Sequence, residues 1–272
     1  MRLATFNILH GRSLSDDQVD LERFARAVSA LDADILALQE VDRDQPRSHG
    51  ADLTTIAAEA MGAPEHRFAA TLAGLPTAWS AATGDLQPGT ASYGVALLSR
   101  WPVRTWRVVP LEAMQGPVPF VFAGETEPTM IVDEPRVAVA AVVETPDGPL
   151  TAVCTHLTFI PDWNPVQLER LVAALADLPR PAVLMGDLNM AGARPSLLTG
   201  WRSLADALTF PVSEPDRQID HILAEGALRP VGAARSVATG ISDHRALVVD
   251  VERGWSAHGA HGAPASAAAH GA

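Results

Sequence analysis

Pro181-Ala182-Val183-Leu184-Met185-Gly186-Asp187-Leu188-Asn189 runs from an apolar segment straight into an acidic and an amide side chain. An apolar run this short, bounded by Gly, reads as a buried strand that delivers polar groups at its tip. The same pattern recurs around Ser242-Asp243-His244, which precedes the run Ala246 to Val251. Either fragment alone is also good turn chemistry, since Asp and Asn bond their own backbone. Four further interruptions change that balance: Asn7, Glu40, His156, and Asp220 with His221, each beside a strand-like run. Buried polar groups need specific partners, so six coincidental turn formers are the weaker account.

Outward from these tips, the first third alternates strand and helix. Leu3 to Ile8 reads as a strand, and Leu21, Phe24, Ala25, Val28 and Leu31 recur at helical spacing behind a cap at Asp16 or Asp17. Ile35 to Leu38 is a second strand ending at Gln39-Glu40-Val41-Asp42, and Leu53 to Met61 a helix stopped by Gly62 and Pro64. In the middle, Tyr93 to Leu98 and Val103 to Val109 are expected as neighbouring strands around Ser99-Arg100-Trp101-Pro102. Val137 to Val143 and Leu150 to Thr155 read as a hairpin. Between them, Leu111 to Pro135 carries Pro117, Pro119 and Pro128 and is expected to hold no regular element. Its Phe120, Val121 and Phe122 are read as pinning this loop to the body, with a substrate mouth as the second reading. A helix around Val166 to Leu175 follows, then strands at Pro181 to Met185, Ile219 to Leu223, Pro230 to Val237 and Ala246 to Val251.

Strands outnumber helices, and helices fall between groups of strands. That ordering predicts an α+β fold, with sheets packed on each other and helices outside rather than a doubly wound parallel sheet. One domain is expected over 1–253, with a disordered Ala/Gly/His-rich tail over 254–272. His258, His261 and His270 in that tail are read as solvated.

The chain has 272 residues, 47% of them hydrophobic, and a formal charge of −12. Such an acidic balance disfavours holding long nucleic acid, although a local groove around Arg12, Arg43, Arg47 and Arg136 stays open. All 20 basic residues are arginine, which excludes Schiff-base chemistry, a P-loop lysine and a Ser-Lys dyad. The single cysteine, Cys154, rules out an internal disulfide or a multi-cysteine metal site, and reads as a small buried hydrophobe. Without a signal-like start or an apolar run near 18 residues, a cytoplasmic protein is expected, a secreted mature form remaining compatible. Oligomeric state is not encoded in these features.

Glu40, Asp187 and Asp243 offer hard carboxylate oxygens, and Asn7 and Asn189 amide oxygens. This donor set suits magnesium or manganese rather than zinc or copper. His156 and His244 each have neighbours that can fix a tautomer, as general-base activation of water requires.

Thr5-Phe6-Asn7, Leu38-Gln39-Glu40-Val41-Asp42, Tyr93-Gly94-Val95-Ala96-Leu97-Leu98-Ser99-Arg100, Thr155-His156-Leu157, Gly186-Asp187-Leu188-Asn189, Ile219-Asp220-His221 and Ser242-Asp243-His244 together resemble the ordered motifs of the endonuclease/exonuclease/phosphatase superfamily. The resemblance spans about residues 1 to 252, and it implies a catalytic domain built as a four-layered α/β/β/α sandwich, two mainly antiparallel sheets packed face to face with outer helices, that performs metal-dependent hydrolysis of a phosphate ester by in-line attack of water. It implies Glu40 as principal ligand of Mg2+ or Mn2+, with Asn7 beside it and Asp243 as a further metal-site carboxylate. Asp187 is implied to position or deprotonate the water, Asn189 to hold the phosphate, and His244, oriented by Asp220, to be the catalytic histidine. His156 is implied to contact the phosphate or aid the leaving group, and Arg136 and Tyr93 to face the substrate. A small or lipid-like phosphate ester is the expected substrate; a nuclease is the alternative, and a silent scaffold of the same fold the alternative from another class.

Overall fold

The computed structural model describes residues 1–84, 90–122 and 124–254, so the expected tail, apart from Gly254, lies outside the described residues. In chain order the strands are β1 Arg2–Asn7, β2 Ile35–Arg43, β3 Glu65–Ala73, β4 Ser80–Gly84, β5 Ser92–Ser99, β6 Val103–Leu111, β7 Pro117–Phe120 and β8 Thr129–Val132. They continue as β9 Arg136–Thr145, β10 Gly148–His156, β11 Ala182–Asp187, β12 Arg202–Ser203, β13 Asp220–Glu225, β14 Leu228–Pro230, β15 Arg235–Val237 and β16 Ala246–Arg253. The helices are α1 Leu21–Leu31, α2 Leu53–Met61, α3 Asn164–Ala174 and α4 Arg194–Thr199.

One sheet has the order β14-β16-β1-β2-β5-β3-β4, with β15 also paired to β16; the other has β12-β13-β11-β10-β9-β6. Both are mixed: β1 with β2 and β10 with β11 are parallel, and the remaining pairs antiparallel. Their inner faces share one core, in which Leu3, Ile35, Ala37 and Leu97 meet Val139, Cys154, Val183, Met185 and Ile222. On the outside, Phe24, Val28 and Leu31 of α1 and Leu53 of α2 cover Phe6, Leu36 and Leu38. Leu168 and Leu171 of α3 cover Val153, Leu184 and Leu223 on the opposite side. The four-layered sandwich is therefore as expected.

Side chains alternate across a strand, and that alternation builds the site. Leu3, Ile35, Cys154, Val183 and Ile222 face the inter-sheet core. Two-residue steps from those rows carry Asn7, His156, Asp187 and Asp220 to the same inner face, at one end of the sandwich. Gly186, just before Asp187, lies so close to β10 that a Cβ there would stand 2.0 Å from the Thr155 carbonyl oxygen. We expect Gly186→Ala to destabilise the protein by on the order of 3 kcal/mol in urea unfolding, because backbone rather than a pliant side chain must yield.

Several local expectations are corrected. Asp20, not Asp16 or Asp17, caps α1, its carboxylate accepting from the Arg23 N–H at 2.9 Å; Asp16 instead pairs with the Arg23 guanidinium and Asp17 with Arg12. The second strand does not end at Gln39 but continues to Arg43 through a bulge between Leu38 and Val41. β5 and β6 are not neighbours: the Ser99–Pro102 turn carries the chain from one sheet to the other. The stretch from Leu111 to Pro135 holds a hairpin, β7 with β8, that tolerates Pro117 and Pro119 because it pairs on one side only. The strand expected over Pro230 to Val237 is split into β14 and β15. Cys154 is fully buried, with its thiol pushed up to about 12 by that burial, so it is no nucleophile.

Candidate active site

The inner rows open at one end of the sandwich into a cleft of about 540 Å³, whose floor includes Glu40, His156, Asp187, Asn189, Asp243 and His244. Asn7 sits beneath, its Nδ2 donating to Glu40 Oε1 at 3.0 Å and to Asp187 Oδ2 at 3.1 Å. Its Oδ1 accepts the Leu9 N–H at 3.2 Å and no other donor among the described residues, which leaves a lone pair. Glu40 belongs to the wrong alternation row for this face. The bulge corrects it: Glu40 takes φ +57°, and its carboxyl enters the cleft. Asn189 at φ +51° and Ser242 at φ +68° are likewise in left-handed conformations, a cost tolerated where a fold over-determines a site.

Asp187 accepts the Asn189 N–H at 3.0 Å on Oδ1. Its Oδ2 lies 3.4 Å from His156 Nε2 and 3.7 Å from His244 Nε2. Burial, moderated by His244 and reinforced by Asp220, lifts the Asp187 carboxyl to about 7. His244 Nδ1 donates to Asp220 Oδ2 at 2.9 Å, and Thr209 Oγ1 donates to that same oxygen at 2.5 Å. Burial opposes charge on His244, yet Asp220 above all, then Asp187 and Asp243, raise it to about 10. Phe210 packs on the imidazole at 4.8 Å between ring centroids. Ser242 Oγ donates to the Asn7 carbonyl at 2.6 Å and accepts the His244 N–H at 3.1 Å, so one hydroxyl ties two site segments.

His156 is held neutral: burial, then Arg136 and His244, push its pKa well below the usual range. Its Nε2 stands 3.2 Å from Asn189 Nδ2, which also donates to the Leu157 carbonyl at 2.9 Å. Arg136, only 6% exposed, brings its guanidinium to the cleft with Nε unpartnered and Glu134 at 3.8 Å. A buried cation so weakly engaged is ready for an anion. Tyr93 lines the same cleft, and burial and Glu40 raise its phenol well above the usual value. Phe120, expected to pin its loop, forms one wall instead, edge-to-face with Phe122 and with Phe159, each at 5.0 Å.

Ligating atoms of Asp187, Asp220 and His244 lie within 4.8 Å of one another, close enough to hold a metal ion together. Asp220 Oδ2 already accepts two donors and orients His244, while its buried Oδ1 has no hydrogen-bond partner among the described residues. The Glu40 and Asp243 carboxyls line the same cleft, and Asn7 Nδ2 bridges Glu40 to Asp187. Burial above all raises the Glu40 pKa and Asp243 adds to it, while Asn7, His244 and Arg136 counter it. Hard oxygens so placed fit a magnesium-like cation.

The sequence matches the model of the endonuclease/exonuclease/phosphatase family over residues 4–244. The chain belongs to that family. Endonuclease/exonuclease/phosphatase proteins are usually hydrolases of phosphate esters and commonly use divalent metals. Among solved structures, a family protein from Beutenbergia cavernae is similar at TM-score 0.68 and 23% identity, over 93% of this chain and 72% of that one. Sphingomyelinase C from Streptomyces griseocarneus is similar at TM-score 0.58 and 16% identity, covering 92% and 98%. A mannosyl-6-phosphatase from Bacteroides thetaiotaomicron follows at TM-score 0.54 and 17% identity, covering 93% and 99%. No curated protein matches the sequence. At these identities the structures share the family's fold and nothing finer.

All ten residues singled out in the sequence meet at this end of the sandwich, either lining the cleft or directly behind it. Thr209, Phe210, Phe159 and Glu134 were not foreseen. Phe210 and Thr209 come from an irregular segment without apolar periodicity, where no sequence signal marks them. Ser242 stood in a quoted motif, and only the structure gives it a task.

Proposed function

We propose that residues 1–253 form one catalytic unit, a divalent-metal-dependent hydrolase of a small or lipid-like phosphate ester. The observation that carries this reading is the Asp220–His244–Asp187 relay, with contacts of 2.9 and 3.7 Å, in the same cleft as Glu40 and Asp243. Glu40 and Asp243, with the free lone pair of Asn7, are the residues that would hold Mg2+ or Mn2+. The bound cation would screen the phosphate's charge and stabilise the leaving oxygen. Asp187 is placed to take the proton of the attacking water, its buried carboxyl having raised basicity. His244, kept charged by Asp220, presents Nε2 as a donor to a phosphoryl oxygen. Asn189, His156 and Arg136 hold the remaining oxygens, and Tyr93 bounds the cleft beside Glu40.

The chain Phe122–Phe120–Phe159 supports an apolar substituent on the ester. Long nucleic acid fits less well. Of the arginines that could form a basic groove, Arg12 is paired with Asp17, Arg43 with Asp52 at 3.5 Å and Arg47 with Asp42 at 2.7 Å. Among the described residues, no helix is long and apolar enough to cross a membrane.

The test is a screen of the purified protein with magnesium and then manganese against bis-p-nitrophenyl phosphate, sphingomyelin, inositol phosphates, DNA and RNA. Turnover of the small diester is expected. Absence of both turnover on every ester and heat of magnesium binding would favour the silent scaffold. Glu40→Gln is expected to weaken magnesium binding, read by calorimetry without substrate, by at least about tenfold. Unchanged affinity in that variant moves the ion away from Glu40.

A further inference from the structure

A second chamber of about 270 Å³ opens off the cleft, and the two share Glu40, Tyr93 and Glu134 as common wall. Its far side is made by Trp79, Arg47, His10 and Leu72. None of these four belongs to the hydrolytic apparatus, yet the chamber shares a wall with the cleft that holds it.

The chamber's chemistry narrows its occupant. Trp79 and Tyr93 stand edge to face, with centroids 5.3 Å apart and planes at 81°, so they cannot sandwich one flat base. The Arg47 guanidinium lies 5.6 Å from the Trp79 centroid and 5.5 Å from that of Tyr93. It already occupies the cation position over these rings, which disfavours a quaternary ammonium group. A second phosphate is disfavoured too. Asp42 neutralises Arg47 through contacts of 2.7 and 2.8 Å, and the carboxyls of Glu40 and Glu134 border the chamber.

What remains is a neutral group that both donates and accepts hydrogen bonds. His10 is kept uncharged, burial and then Arg47 and Arg12 lowering it to about 4, so its imidazole offers one donor and one acceptor. Arg47 spends Nε and Nη2 on Asp42, and Nη1 makes no hydrogen bond among the described residues. Glu134 accepts. Leu72 and the ring edges of Trp79 supply apolar contact for C–H faces.

Resting on the phosphate-ester reading above, we propose that this chamber is a specificity subsite for a neutral, polyhydroxylated six-membered ring, a sugar or cyclitol esterified to the phosphate. The ring's hydroxyls would meet His10, Arg47 Nη1 and Glu134, and its apolar face Trp79.

The test compares kcat/KM for a hexose 6-phosphate, myo-inositol 1-phosphate, phosphocholine, a nucleoside 5′-monophosphate and p-nitrophenyl phosphate, in wild type, Trp79→Ala and His10→Ala, each checked for folding by circular dichroism. Wild type is expected to favour a polyol ester over phosphocholine and the nucleotide by at least about tenfold, a difference of about 1.4 kcal/mol. Trp79→Ala and His10→Ala should lower the ratio of polyol ester to p-nitrophenyl phosphate by a similar factor, mainly through KM. Equal loss on all esters, or a wild-type preference for phosphocholine or nucleotide, overturns the subsite. Should none of these monoesters turn over, the diesters of the screen above decide the hydrolase reading. Calorimetry with the hexose 6-phosphate then decides the chamber: saturable binding weakened by Trp79→Ala supports it, and absent binding overturns it.

Discussion

Asp187→Asn is expected to lower kcat on any accepted phosphate ester by about 10³-fold or more, roughly 4 kcal/mol of transition-state stabilisation. The substitution keeps size and shape, so the loss is chemical. Asp187 Oδ2 accepts from Asn7 Nδ2 and faces two imidazole nitrogens. An amide in its place either turns its own N–H groups toward those donors or turns an acceptor incapable of taking a proton. Stability should move the other way. Burial raises the carboxyl to about 7, so the folded state binds its proton more tightly than the unfolded chain does. Stability contributed by the protonated form is therefore present below the ordinary carboxylate range and lost as pH rises through about 7. Asn removes that loss. We expect the melting temperature of Asp187→Asn at pH 8, in EDTA, to equal or exceed that of wild type, as when an active-site strain is relieved. Full activity in this variant would sink the proposed mechanism, and a collapse of melting temperature would make its inactivity uninformative.

The alternation of strand residues explains why much of this site was legible. Asn7, His156, Asp187 and Asp220 end rows that also supply core residues, so an apolar run followed by a polar residue on the same parity reports a cleft above a core. Glu40 breaks the rule. With Ala37 facing the inter-sheet core, parity alone turns Glu40 away from it, and only the bulge at φ +57° returns it. Its place in a motif, not its periodicity, gave it away. The helix cap slipped for a related reason: Asp16, Asp17 and Asp20 are equally good caps, and only Asp20 lies where α1 begins. The separation of β5 from β6 was hidden because a short turn between two strands looks the same whether it closes a hairpin or steps between packed sheets. The Phe120 wall was legible only as the second reading of its loop, and the Trp79 chamber was illegible because Phe159 and Tyr93, which complete the two, come from other elements.

Asp220→Asn tests the other half of the relay, and we expect kcat to fall by about 10²- to 10⁴-fold with a much smaller change in KM. Asp220 lies fully buried beside Thr209 and does not line the cleft, so it acts through His244 as a positioning residue. Its Oδ2 accepts from both Thr209 and His244 Nδ1, which fixes the imidazole with Nε2 toward Asp187. An amide has two ways to sit there. If its NH2 replaces Oδ2, a donor meets Nδ1, and the ring must adopt the opposite tautomer or rotate. If its oxygen stays, the hydrogen bonds survive but the negative charge is gone, and that charge is the largest influence raising His244 to about 10. In both cases the imidazolium is easier to deprotonate. A site that needs His244 charged loses activity as pH rises through its pKa, so the alkaline limb of the kcat profile should move to lower pH in Asp220→Asn. A purely structural Asp220 predicts something different: lower melting temperature and a smaller active fraction, with the limb unmoved. Observation of that second pattern would remove Asp220 from the relay and leave His244 oriented by Phe210 and Ser242 alone.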